Sequence, residues 1–122
     1  MVKFEGYEFV EGGVCAAEGF TAAGVIAGIK AGNTTKRDLA MIYCAERCKA
    51  AALYTTNKVK GAPIYVTRKH LEDGFAQAVI VNSGNANTCN ENGIEIAEQM
   101  CELTAEALDI DANDVLVGST GV

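Results

Sequence analysis

The segment that most restricts the fold of this chain contains an apolar strand, a polar loop, an amphipathic helix and a second apolar strand in succession. Residues 76–82 (AQAVIVN) contain a β-branched run, which predicts a buried strand. Residues 92–108 place apolar or small side chains at spacings of three and four, with glutamates opposite, which predicts an amphipathic helix. Residues 115–117 (VLV) predict another buried strand. The order predicts a βαβ unit near residues 76–117, hence an α/β fold with parallel strands.

The remaining segments predict short elements around this unit. The apolar face of the predicted helix consists of Ala97, Met100, Cys101, Thr104, Ala107 and Leu108. Asn90 or Asn92 is expected to cap its first turn. Elsewhere we predict a strand or an irregular buried segment over residues 22–30. Strands are predicted over 39–44 and 50–56, joined by a hairpin connection over 45–49. A short helix is predicted over 64–71, with Pro63 in its first turn.

Composition excludes several classes of protein. The chain has 122 residues, 49% of them hydrophobic and 21% charged, which fits one globular domain rather than a disordered segment. The net charge of -6, without any basic run, argues against nucleic acids and anionic membranes as partners. The first residues do not resemble a secretory signal, and the longest run of apolar and small residues, 22–29, is too short to span a membrane. We therefore expect a cytoplasmic protein.

Several reactive side chains fit structural roles better than catalytic ones. The five cysteines are an odd number without a secretory signal, which favours reduced thiols. Cys44 and Cys48 are four apart, a spacing that would place them on one face of a helix, and no metal site is predicted from them. We expect His70, the single histidine, to lie at the surface rather than act in catalysis. Lys58 or Lys60 could meet a carboxylate substrate, although solvation is the more common outcome.

Two polar loops follow the predicted parallel strands, at the edge where open α/β sheets place ligands. In residues 118–121 (GSTG), backbone N–H groups and the Thr120 hydroxyl could converge on an anion or a developing oxyanion, or the segment could be a simple tight turn. Residues 82–87 (NSGNAN) offer Asn85 and Asn87 as candidates for contact with a substrate. The alternative for this loop is a turn followed by a helix cap.

Taken together, segments along most of the chain resemble one enzyme family. Residues 55–64 (TTNKVKGAPI), 78–89 (AVIVNSGNANTC) and 115–122 (VLVGSTGV) resemble the bifunctional glutamate N-acetyltransferase / ornithine acetyltransferase family of arginine biosynthesis. Residues 19–30 (GFTAAGVIAGIK) and 38–44 (DLAMIYC) are similar to its N-terminal region. The resemblance covers nearly the whole chain from residue 19 onward, and the ordered combination of segments is more specific than any one of them.

The resemblance implies a mechanism. Members are made as a precursor that cleaves itself before a threonine, which becomes the N-terminal nucleophile of the β chain and can use its own amine as base. This threonine takes an acetyl group from N2-acetylornithine and passes it to glutamate; some members also accept acetyl-CoA. Thr120 and Gly121 match the family's oxyanion hole. The implied assembly is a heterotetramer of two α and two β chains, and the implied fold is a layered α/β sandwich like that of certain self-processing aminopeptidases.

This sequence departs from the family pattern in two places. The cleavage segment, an Ala-Thr junction in a Met-rich stretch, is missing, as is the β chain, so residues 1–122 are expected to be one domain from the N-terminal part of the α chain, inactive alone. Gly118 stands where many relatives have alanine. No metal or cofactor is expected beyond acetyl-CoA as a possible co-substrate. The alternatives are a related self-processing aminopeptidase or amidohydrolase and a non-catalytic α/β module that binds a ligand.

Overall fold

The computed structural model describes residues 5–121 and contains one mixed sheet with α-helices packed on it. The strands are β1 (Phe20–Val25), β2 (Leu39–Lys49), β3 (Phe75–Ser83) and β4 (Val115–Thr120), and the helices are α1 (Ala62–His70) and α2 (Gly93–Leu108). Short 3-10 turns lie at Gly13–Ala16, Leu71–Asp73 and Ala112–Asp114. Within the described residues no helix has the length and apolar character needed to cross a membrane.

The strands lie in the order β1-β2-β3-β4. β1 and β2 are antiparallel, as are β2 and β3, whereas β3 and β4 run parallel and are joined through α2. The predicted βαβ unit and the α/β fold class are therefore confirmed. The helix predicted around Pro63 is also confirmed as α1, whose last residues carry positive charge at the negative end of the helix dipole.

The two faces of the sheet differ. Alternate residues of β3 and β4 point toward α1 and α2, and this helix face carries the core. The core residues are Val66, Ala78, Ile80, Ala97, Cys101, Ala105, Val115 and Val117. We call the opposite side of the sheet the open face. Strand alternation and register assign six residues to it: Ala40, Ile42, Val79, Val81, Leu116 and Gly118. The side chains on it are small or apolar and mostly half-buried.

The predicted hairpin around residue 45 is wrong. β2 continues through residues 45–49 to Lys49, and residues 50–56 form no strand. A bulge between Tyr43 and Cys48 lets β2 keep its pairing with β3, so the polar residues that suggested a turn remain in the strand. Because of this bulge, Cys44 and Cys48 share a strand rather than a helix, with their Sγ atoms 3.3 Å apart.

The glycine-rich segment 22–30 is only partly a strand, and it is not buried. β1 ends at Val25, and residues 26–37 form a loop. β1 is mostly exposed because it is an edge strand, paired on one side only, with β2.

Details of α2 and α1 also differ from prediction. Ala105 is buried in α2, whereas Ala107 is exposed, because the buried stripe follows the row of residues 97, 101 and 105, spaced four apart. Asn92 occupies the N-cap position without a side-chain cap hydrogen bond, so the predicted cap is absent. His70 is buried rather than at the surface, because it ends α1 against the start of β4 and its Nδ1 lies 2.7 Å from the carbonyl oxygen of Val115.

Candidate functional site at the ends of the parallel strands

The two loops singled out in the sequence meet at one edge of the sheet. β3 and β4 are parallel, and Ser83 is the register partner of Thr120, the last residue of β4. The predicted turn over 118–121 is mostly strand, and only Gly121 leaves it, with φ +114°. Just beyond the register pair, the Gly84 N–H donates a hydrogen bond to the Thr120 carbonyl oxygen at 2.9 Å. The two strand ends are thus joined through backbone atoms.

Contact between Gly84 and Gly121 is closer than any side chain would allow. A Cβ atom on Gly121 would lie 2.3 Å from the Gly84 nitrogen and 2.7 Å from its Cα. Both residues have positive φ, which glycine adopts without strain. We call this contact the Gly84–Gly121 corner. It fixes the backbone directly after Thr120, and strand pairing with β3 fixes the residues before it, so the position of Thr120 is set by packing rather than by a flexible turn.

Thr120 is presented on the open face. By strand alternation its side chain lies on the same side as Leu116 and Gly118, away from α1 and α2. The residue is exposed and lines a small cavity of about 120 Å³ together with Arg37 and Ser83. Asp38 lines the same cavity, and its carboxylate is hydrogen-bonded to the loop between β1 and β2. The cavity therefore offers the Thr120 hydroxyl as a donor, and its charged residues Arg37 and Asp38 have opposite signs.

The asparagines of residues 82–87 mainly hold their own loop. Asn85 Oδ1 accepts hydrogen bonds from the Asn87 N–H at 2.7 Å and from the Asn90 side chain at 3.3 Å. Asn87 is buried, and its side-chain amide donates to the Gly93 carbonyl at the start of α2, 2.8 Å away. The carbonyl of Asn87 also accepts from the Ala62 N–H at 2.9 Å, so this residue ties the first turns of both helices to the loop.

A larger cavity lies on the helix face beside these asparagines. It has a volume of about 380 Å³ and is lined by Asn82, Asn85, Asn87, Asn90, Ser119, Ile29, Leu39, Ile96 and Met100. No charged side chain is in that set, and the Ser119 hydroxyl is buried without a hydrogen-bond partner among residues 5–121. Ser119 and Thr120 are consecutive, so the end of β4 places one hydroxyl at each face of the sheet.

The other sequence candidates lie apart from this edge. His70 Nδ1 donates the hydrogen bond to Val115, because the Val115 carbonyl oxygen can only accept. Lys58 is exposed, and the Lys60 ammonium lies 5.9 Å from the centre of the Tyr65 ring. Within the described residues no group of three or more His, Cys, Asp or Glu side chains is arranged to hold a metal ion.

Sequence reasoning missed Asp38. It is buried, and its carboxylate accepts hydrogen bonds from the backbone N–H groups of Ala27 and Ile29 and from the Asn33 side chain. The Ala27 N–H is the main cause of a lowered pKa for the Asp38 carboxyl, helped by Asn33 and opposed by burial. The one feature of the sequence that could have indicated this role is the position of Asp38, a single aspartate between a segment rich in Gly, Asn and Thr and an apolar strand.

The chain is similar to proteins of one family along most of its length. The family model described as the ArgJ family matches residues 21–122. The arginine biosynthesis bifunctional protein ArgJ of Caldanaerobacter subterraneus is 47% identical over 116 residues, covering 94% of this chain and 28% of the relative. The protein of the same name from Symbiobacterium thermophilum is 48% identical over 116 residues, covering 94% of this chain and 29% of that protein. The chain thus spans less than a third of the length of these relatives.

Two solved structures have the same architecture. The crystal structure of ArgJ from Bacillus halodurans superposes with a TM-score of 0.84 at 42% identity, covering 91% of this chain and 58% of that one. The ornithine acetyltransferase of Mycobacterium tuberculosis, solved in complex with ornithine, gives a TM-score of 0.81 at 41% identity, covering 89% of this chain and 59% of that one. The resemblance found in the sequence and the fold that it implied are both confirmed.

Proposed function

Because the chain belongs to the ArgJ family, we propose that it supplies part of the active site of an acetyltransferase of arginine biosynthesis. In this proposal the whole enzyme moves an acetyl group from N2-acetylornithine to glutamate through an acetyl-threonine intermediate. The observation that carries it is the Gly84–Gly121 corner, which holds Thr120 rigidly at the open face. A rigid donor stabilises a charge that forms during the reaction without having to reorganise.

The first half-reaction makes the acetyl-enzyme. The nucleophilic threonine Oγ attacks the acetyl carbonyl carbon, its proton passes to the threonine's own α-amine, and the carbonyl π electrons move onto the oxygen. The Thr120 hydroxyl and the Gly121 N–H donate hydrogen bonds to that oxyanion. When the tetrahedral intermediate collapses, the C–N bond breaks and the ornithine nitrogen takes the proton from the ammonium. One such donor contributes about 3 kcal/mol to stabilising the transition state.

The second half-reaction uses the same corner. The glutamate amine attacks the acetyl-threonine ester, its N–H proton passes to the threonine's α-amine, and the oxyanion forms again beside Thr120 and Gly121. When this intermediate collapses, the C–O bond to the threonine breaks, the departing Oγ takes the proton back from the ammonium, and N-acetylglutamate is released. Acetyl-CoA is to be tested as a second acetyl donor in the same assays. The corner would recognise the carbonyl oxygen of the acetyl group, which is present in a thioester as well as in an amide. No metal or further cofactor is required by either step.

The partner of this chain follows from the same proposal. We place the chain in the N-terminal part of an α chain, with the nucleophile on a β chain and two copies of each in a cytoplasmic heterotetramer. Two observations support a partner on the open face: Thr120 lies there, and the face is small and apolar while both α-helices pack on the other side. A second layer of structure over that face would complete a layered α/β sandwich.

The asparagines receive different roles. Asn85 is exposed and directly follows Gly84 at the edge of the sheet where Gly121 lies, so it is our candidate for contact with a substrate. Asn87 has its side-chain amide committed to Gly93 and Asn90, so it shapes the loop that carries Asn85.

The full-length protein that contains this chain tests the proposal. We expect acetyl transfer from N2-acetylornithine to glutamate, detected as N-acetylglutamate by mass spectrometry. Thr120→Ala should lower kcat by about a hundredfold with a smaller change in KM, because the hydroxyl acts on the transition state. Thr21→Ala is the matched control, since Thr21 is an exposed strand threonine in β1. Peptide or amide hydrolysis without acetyl transfer, or full kcat in Thr120→Ala, would contradict the proposal.

A further inference from the structure

The loop between β1 and β2 is held by one buried carboxylate. Residues 26–37 contain no helix or strand, yet they fold back on Asp38, which is only 6% exposed. Asp38 Oδ1 accepts from the Ala27 N–H at 2.6 Å, and Oδ2 accepts from the Ile29 N–H at 2.8 Å and from the Asn33 side chain at 2.7 Å. Hydrogen bonds to a charged acceptor are stronger than neutral ones, so this carboxylate determines the path of the loop.

The folded loop of residues 26–37 packs beside Gly84. A Cβ atom on Gly84 would lie 3.2 Å from both the nitrogen and the Cβ of Lys30 and 3.4 Å from the Ile29 side chain. Gly84 therefore has the loop on one side and Gly121 on the other. Ile29 and Lys30 thus lie on the side of Gly84 away from Gly121, and Gly84 is also held by its hydrogen bond to the Thr120 carbonyl oxygen.

Asp38 also reaches the strand ends through its backbone. Its carbonyl oxygen accepts from the Ser83 N–H at 2.8 Å, and Ser83 is the register partner of Thr120. A side-chain substitution leaves this backbone bond available but removes the hold on the loop. The two routes from Asp38 to the strand ends can therefore be separated by experiment.

We propose that Asp38 is a positioning residue: its carboxylate folds residues 26–37 so that Ile29 and Lys30 hold Gly84 against Gly121, which fixes Thr120. The catalytic consequence rests on the function proposed above. Asp38 does not touch the reacting atoms in this scheme, because its carboxylate oxygens are occupied by the loop. It acts through the geometry of the Gly84–Gly121 corner, where a displacement of about 1 Å is enough to lower a rate a hundredfold.

The test compares Asp38→Asn with Asp111→Asn in the full-length protein. Asp111 is the matched control because it is an exposed aspartate that accepts from the Asn113 N–H at 2.8 Å, just before β4 begins at the opposite end from Thr120. Asp38→Asn leaves only one oxygen for two backbone N–H groups. It should lower kcat by about tenfold or more with KM within about twofold, because the donor is misplaced while ground-state binding is retained.

Hydrogen exchange with single-residue resolution provides a readout besides activity. In Asp38→Asn the Gly84 amide should exchange about tenfold faster or more, whereas the Ser83 amide, bonded to the Asp38 carbonyl, should keep its protection. Both amides should be unchanged in Asp111→Asn. If Asp38→Asn does not fold, Asn33→Ala removes one donor to the same carboxylate and should give the same pattern at smaller amplitude.

The outcomes separate this inference from the proposed function. Unchanged Gly84 exchange in Asp38→Asn, or equal changes at Ser83 and Gly84, would overturn the inference whatever the activity. Faster Gly84 exchange together with full kcat in Thr120→Ala would mean that Asp38 holds the corner and that the proposed function is wrong. Faster Gly84 exchange without any fall in kcat, in a protein where Thr120→Ala is impaired, would overturn the catalytic part of the inference.

Discussion

Replacing Gly121 by alanine should damage the corner in two ways that the structure separates. The residue has φ +114°, a backbone conformation that L side chains rarely adopt, so any Cβ is strained there. The new Cβ would also lie 2.3, 2.7 and 2.9 Å from the N, Cα and C atoms of Gly84. These are backbone atoms, which cannot rotate away as the end of a side chain would. Gly84 must therefore move, and its hydrogen bond to the Thr120 carbonyl is lost or lengthened.

The expected cost follows from these contributions. Left-handed backbone in a residue with a Cβ costs about 1–2 kcal/mol, and a lost backbone hydrogen bond costs about 1 kcal/mol. Gly121→Ala should therefore lower the free energy of unfolding by about 2–3 kcal/mol, a large part of the stability of an ordinary domain. Gly74→Ala is the matched control, since Gly74 has φ +76° and a Cβ added there would meet no other atom within 4 Å. It should cost only the backbone part, about 1–2 kcal/mol.

Urea unfolding of the full-length protein and its two glycine variants measures the difference. We expect Gly121→Ala to be less stable than Gly74→Ala and to have a lower rate of acetyl transfer, while Gly74→Ala keeps the normal rate. If the two substitutions destabilised the protein equally, the contact between Gly84 and Gly121 would contribute nothing beyond the backbone conformation of Gly121, contrary to this expectation.

Three further predictions concern residues away from this corner. Arg47→Met should lower the free energy of unfolding, measured in urea, by about 1–3 kcal/mol. The substitution removes the hydrogen bonds that Arg47 Nε donates to both carboxylate oxygens of the buried Asp114, each at 2.7 Å. An unchanged free energy of unfolding would contradict this prediction. Burial raises the pKa of the Cys101 thiol to about 12, so iodoacetamide at about pH 8 should label the exposed Cys89 and leave Cys101 unmodified in the folded protein, as peptide mapping would reveal; equal labelling would contradict it. Backbone N–H groups lower the pKa of the Asp38 carboxyl, so its contribution to stability is full above the ordinary pKa of 3.8 and is lost as the pH falls through the lowered value. Between about pH 6 and about pH 3, the urea midpoint should therefore drop more in the wild type than in Asp38→Asn. An equal drop in the two proteins would contradict this prediction.

The local part of the fold was predictable from the sequence. The β-branched run of β3 and the three-and-four spacing of α2 depend only on neighbouring residues, and both elements are present. The order of these elements predicted a parallel pair with two loops at one edge. That edge is where Gly84 and Gly121 meet, so the position of the two loops within the sheet was predicted correctly, whereas the roles of their residues stay predictions.

Features set by distant residues were not predictable. β2 continues past residue 45 because its bulge restores pairing with β3 and because Arg47 is held by Asp114, which is 67 residues away. His70 was expected at the surface, and only the carbonyl of Val115, 45 residues further on, explains its burial. Asp38 was overlooked for the same reason, since its role depends on how a loop with no regular structure folds back on it.

The role of the Thr120 hydroxyl at the oxyanion is tested most directly by the single-turnover rate at which N2-acetylornithine acetylates the full-length enzyme. This rate is to be measured in Thr120→Ser and Thr120→Val. Serine keeps the hydroxyl, whereas valine keeps the branched shape without it. We expect a rate near that of the wild type for Thr120→Ser and a rate about a hundredfold to a thousandfold lower for Thr120→Val, with unchanged substrate binding. Equal acetylation rates in the two variants would contradict the claim that the Thr120 hydroxyl stabilises the oxyanion.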